Sequence, residues 1–158
     1  MMTSRSIVSL ALCGFVVSSC MFADTSSYKP VSPSELNSDP AQYNGRTVVV
    51  RGFIKLAPEG HVLYESQTLD AEFASKVDAG GRFDAKSYRK YCLTIANPDF
   101  FYGYKASLNG QTVVIQGKFI DDYLDGNSVD LGACPLPTAI IIDEENFKQR
   151  YKKLLNAD

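Results

Sequence analysis

The clearest pattern along the chain is a turn followed by a strand, and it occurs twice. Asn44-Gly45-Arg46-Thr47-Val48-Val49-Val50-Arg51-Gly52 returns 65 positions later as Asn109-Gly110-Gln111-Thr112-Val113-Val114-Ile115-Gln116-Gly117. Asn-Gly tolerates positive φ and marks a turn, and the β-branched run behind it favours a strand. Alternation places Val48, Val50 and Gly52 on one face of the first strand. It places Val113, Ile115, Gly117 and Phe119 on the matching face of the second. A glycine inside a strand marks a bulge or a sharp coil, which a small closed barrel requires. Two copies are too few for a solenoid.

Further strands are expected over residues 61–66, 91–97 and 138–143, with a short helix over 70–77 and a helical turn after Pro98. Near the C-terminus, Asp143, Glu144 and Glu145 open a helix and Lys152 and Lys153 close it, matching the macrodipole. Phe147, Tyr151, Leu154 and Leu155 form one apolar stripe for docking on the sheet. The expected fold is mainly β: a small OB-like five-stranded barrel with a C-terminal α-helix. A split β-sandwich is the alternative.

Composition narrows the class. The 158 residues are 45% hydrophobic and 22% charged, enough for one domain and too few for two sizeable ones. Net charge is −2, so the basic surplus expected of a nucleic-acid binder, or of a protein that hugs an anionic bilayer, is missing.

The N-terminus carries an address. Residues 1–6 hold one cation, Arg5, and residues 7–17 are apolar and uncharged. Such a stretch is too short to span a bilayer and fits a secretory h-region. Val17-Ser18-Ser19-Cys20 then resembles the lipobox of bacterial lipoproteins. That resemblance implies cleavage before Cys20 and acylation of its sulfur and new amine, anchoring the chain to a membrane. Met21 in place of Asp implies the outer membrane, facing the periplasm. The expected organisation is a signal peptide over 1–19, a lipidated Cys20 with a flexible Ser- and Pro-rich tether over 20–34, and the barrel domain over 35–158. The run Leu36, Asp39-Pro40, Tyr43, Asn44-Gly45, strand, Arg51-Gly52 resembles the opening of small bacterial OB-like domains, many of them in lipoproteins. It implies a fold and no reaction.

Candidate chemistry is sparse. His61 is the sole histidine, and Cys92 and Cys134 stand apart, so no metal-ligand spacing occurs. No G-x-S-x-G elbow, Walker loop or G-x-G-x-x-G is found, and no cofactor is expected. The acidic run from Asp121 through Asp125-Gly126-Asn127 evokes a calcium loop, but its twelfth position is Gly132 rather than Glu. Lys86, Arg89 and Lys90 read as a solvated face. With Cys13 removed and Cys20 acylated, Cys92 and Cys134 are the remaining thiols of an exported domain, and a bridge between them is expected. Phe100, Phe101, Tyr102 and Tyr104, with Tyr123, read either as core packing or as ligand contacts. The expected function is a non-catalytic module for an envelope protein, peptide or glycan. An envelope hydrolase with a carboxylate-based site is the alternative.

Overall fold

The computed structural model describes residues 29–57, 60–80, 90–125 and 134–156. Cys20, Lys86, Arg89, Gly126, Asn127 and Gly132 lie outside those segments. Chain order is α1 (Pro33–Ser38), α2 (Pro40–Tyr43), β1 (Thr47–Ala57), β2 (Gly60–Tyr64), α3 (Gln67–Asp78) and β3 (Cys92–Ile95). There follow α4 (Asp99–Tyr102), α5 (Lys105–Leu108), β4 (Thr112–Ile120), β5 (Ala139–Ile142), α6 (Glu144–Arg150) and α7 (Lys152–Leu155). The strands close into a barrel in the order β1-β2-β3-β5-β4. Neighbours are antiparallel except β3 with β5. Closure rules out the split sandwich.

The expectation of a mainly β chain needs correction. About 31% of the described residues are strand and about 38% helix. Helix enters because two short helices precede each copy of the repeated strand and α3 fills the β2–β3 connection.

The two sequence copies lie side by side as β1 and β4. Thr47 faces Lys118, Val50 faces Ile115 and Phe53 faces Thr112. The 65-residue shift also carries hydrogen bonds of one unit onto the other. Gly45 N donates to Phe119 O at 2.9 Å, and Gly110 N donates to Ile54 O at 2.8 Å. Phe119 N donates to Arg46 O at 3.0 Å, and Ile54 N donates to Gln111 O at 2.9 Å. The Asn109 side-chain oxygen accepts from Leu56 N at 2.7 Å, as that of Asn44 accepts from Asp121 N at 3.4 Å. Each Asn-Gly turn therefore ends the β1–β4 pairing against the strand of the other copy. The repeat extends upstream into the helices: Leu36 of α1 and Phe101 of α4, again 65 apart, are both fully buried in the core.

Gly52 and Gly117 occupy equivalent points where each strand passes from one partner to the next. A Cβ at Gly52 would lie 2.5 Å from Leu63 Cγ and 2.8 Å from Tyr64 O; one at Gly117 would collide with Ile141 O. The missing side chain lets the strands approach and coil. The expected inward set, Val48, Val50, Val113, Ile115 and Phe119, is buried.

The folded part takes up the chain at Val31, ahead of residue 35. Val31 N donates to Val49 O and Val31 O accepts from Arg51 N, both at 2.9 Å. Ser32 and Glu35 then form a capping box with Pro33 in the first turn. The same Ser- and Pro-rich composition that reads as tether is here the start signal of a helix. Helix α3 begins before residue 70 because the Ser66 side chain accepts from Leu69 N. The C-terminal helix is two pieces, α6 and α7, separated at Tyr151. Phe147 and Leu155 of the expected stripe are buried, and Tyr151 and Leu154 pack against the same core.

Candidate binding groove

The aromatic run after Pro98 is placed by two short helices at one end of the barrel. Phe101 points inward and is fully buried; Phe100, Tyr102 and Tyr104 are half-buried against the core. Ring centroids lie 4.9 Å apart for Phe100–Phe101, 5.3 Å for Phe100–Tyr104 and 5.0 Å for Phe101–Phe147. Phe147 meets Tyr151 at 4.6 Å. These rings form a plug between the barrel and α6, so most of the run serves packing. Tyr123 stands apart, its amide donating to Pro137 O at 2.7 Å.

Tyr104 reaches an opening among the described residues. With Lys148, Gln149, Lys152, Leu155 and Asn156 it lines a shallow groove of about 320 Å³. Tyr104 and Leu155 give it an apolar wall, two amides give paired donors and acceptors, and two ammonium groups give positive charge. Lys148 Nζ lies 3.1 Å from Glu145, 3.7 Å from Glu144 and 5.0 Å above the Phe100 ring. The hydrogen bond to Glu145 holds the Lys148 pKa above its ordinary value, so this ammonium stays charged. It is thereby tied to its own helix, whereas Lys152, one turn on, is exposed. A larger opening along α3, lined by Thr68, Ala71, Glu72, Ser75 and Lys76, draws on one helix only.

From the sequence, Lys152 is expected only to match the macrodipole and Leu155 only to join the apolar stripe, and Lys148, Gln149 and Asn156 carry no expected role. The signal was there: Lys148, Lys152 and Asn156 recur at intervals of four, a second face of the same helical pattern.

Cys92 and Cys134 are bonded, with Cα atoms 5.7 Å apart. Leu93 and Ile95 face the interior, and Cys92 faces outward into a second apolar cluster with Phe53, Val62, Tyr64 and Cys134. The bridge pins the segment before β5 over the outer face of β2 and β3. Asn37 braces the same junction: its amide donates to Cys92 O at 2.9 Å, and its side-chain oxygen accepts from Thr138 Oγ1 at 2.7 Å. Burial and nearby Asp70 push the Tyr64 phenol up to about 12.

His61 lies in β2 opposite Leu56, and Lys90 sits 4.9 Å from the Tyr91 ring. Among the described residues, no three His, Cys, Asp or Glu side chains gather into a metal site. No described helix is long and apolar enough to cross a membrane. No protein-family model, curated protein or solved structure matches this chain.

Proposed function

We propose that the protein is a lipid-anchored bacterial envelope protein whose barrel is an OB-like, non-catalytic binding module. The observation that carries this reading is the Cys92–Cys134 bridge. Structural disulfides persist in oxidising compartments and are rare in the cytosol. With that pair joined and Cys13 removed with the signal peptide, the cysteine of Val17-Ser18-Ser19-Cys20 remains for acylation. Three acyl chains, each buried CH₂ contributing ~0.8 kcal/mol, hold a protein durably at a bilayer. Met21 after the acylated residue favours the outer membrane, facing the periplasm. The strand order β1-β2-β3-β5-β4 supports the OB-like reading, since that class is a five-stranded Greek-key barrel.

The ligand that suits the groove is a peptide or glycan carrying an acidic group. Its flat or apolar part rests on Tyr104 and Leu155, its acid faces Lys152, and its polar groups meet Gln149 and Asn156. The mature chain, at net −3 after loss of residues 1–19, is ill suited to nucleic acid.

Two measurements test the reading. Cys20→Ala abolishes labelling by a palmitate analogue; labelling that survives the change refutes the anchor. Titration with short acidic peptides and uronate oligosaccharides, followed by NMR, shifts the signals of Tyr104, Gln149, Lys152 and Asn156. No shift with any probe, or shifts unaltered by Lys152→Glu, refutes the groove.

A further inference from the structure

The tether leaves the barrel beside a cationic wall. Val31 is hydrogen-bonded to Val49 and Arg51 of β1, so the chain toward Cys20 departs from the outer edge of that strand. On the outer face, Thr47 of β1, Lys118 of β4 and Ile141 of β5 form one row across three strands. Val49 and Gln116 form the next, then Arg51 with Val114. Arg46, Arg51 and Lys118 are exposed, as is Lys29 two residues before Val31. Ile141, at 42% exposure, is one of two large apolar side chains that stand open among the described residues. None of these four cations has an ion-pair partner among the described residues. In the row between Lys118 and Val114, Gln116 donates from Nε2 to Asp143 at 3.3 Å.

We infer that this wall, Lys118 beside Ile141 with Arg51 two rows along the same face, Arg46 at the rim ahead of Thr47 and Lys29 on the departing chain, rests on an anionic phospholipid surface. The inference builds on the proposed Cys20 anchor. Ten residues separate Cys20 from Val31, and even fully extended they reach about 35 Å. The point of exit therefore keeps the β1 side of the barrel within reach of the bilayer. A few cations beside an acyl anchor supply the second attachment that fixes orientation, although the chain as a whole is acidic. The contact would leave the groove of Tyr104 and Lys152, at the helical end, available for ligand.

The test uses the full acylated protein on vesicles, either neutral phosphatidylcholine or phosphatidylcholine with phosphatidylglycerol. A membrane-impermeant amine-acetylating reagent labels exposed lysines, and peptide mass spectrometry scores each site. On anionic vesicles at low salt, Lys29 and Lys118 are labelled about threefold or more less than Lys152 and Lys153; high salt or neutral lipid removes the difference. Arg46→Glu combined with Arg51→Glu removes it as well, with an unchanged thermal melt. Flotation of the same samples scores the anchor separately. A chain that floats with all four lysines equally labelled, or with protection persisting on neutral lipid in high salt, overturns the wall while keeping the anchor. A chain that does not float overturns both.

Discussion

The Tyr151 hydroxyl donates to Val114 O at 3.2 Å and accepts from Val114 N at 2.6 Å. One side chain thus satisfies both backbone groups on the edge of β4 that β5 does not reach. The equivalent position in the other copy is Val49, whose carbonyl oxygen is met instead by Val31 N at 2.9 Å. An open strand edge is a template for unwanted pairing, and here the two related edges are closed by different means.

Tyr151→Phe keeps the ring against Phe147 and removes the hydroxyl, leaving an amide and a carbonyl of β4 without their partner. The expected cost is about 1–3 kcal/mol. A urea midpoint that falls at constant slope confirms it; an unchanged midpoint shows that water replaces the hydroxyl without loss.

Gly117→Ala and Gly52→Ala test the barrel's coil. The added methyl at Gly117 meets the backbone oxygen of Ile141, which cannot move aside as a side chain can. At Gly52 the nearest atoms belong to the Leu63 side chain, with Tyr64 O just behind. Both substitutions are expected to cost about 1–3 kcal/mol or more, with Gly117→Ala the worse. Thermal melting of the pair decides, and a neutral Gly117→Ala contradicts the register described for β4 and β5.

Reduction of Cys92–Cys134, or replacement of both by Ala, releases a cross-link spanning 42 positions. The chain-entropy model puts the loss at ~4 kcal/mol, within the usual range for native bridges. The expected result is a large fall in the denaturation midpoint under reducing conditions and none in the double Ala variant when reductant is added.

Tyr64 makes stability pH-dependent in the alkaline range. Its phenol titrates near 10 when unfolded and at about 12 in the folded barrel, so the folded state holds the proton longer. The stabilisation is complete below pH 10 and is lost as pH rises toward 12, by about 2–3 kcal/mol. Tyr64→Phe flattens that slope. A profile indistinguishable from the original places the alkaline transition elsewhere.

Much of the barrel was legible because strands obey a short period. The Asn-Gly turns, the interior glycines and the inward set around Val50 and Ile115 all follow from local pattern. Of the short helices, the turn after Pro98 was expected and is α4, whereas α1 at Pro33–Ser38 was less legible, a brief Pro-led segment whose helicity depends on docking Leu36 into the core. The pairing of Cys92 with Cys134 followed from counting thiols and from alternation along β3. The groove was hidden for a physical reason: it forms where α5 and α7 meet, and no single stretch of sequence contains both Tyr104 and Lys152. The aromatics were visible and their role was not, because burial of Phe101 is set by tertiary packing.

The most direct test of the account is the intact mass of the protein purified from bacterial membranes without reductant. The predicted species begins at Cys20, carries a diacylglyceryl group and an N-acyl chain, and contains no free thiol because Cys92 and Cys134 are joined. A chain that begins elsewhere, or whose Cys20 or Cys92 is open to alkylation, contradicts it.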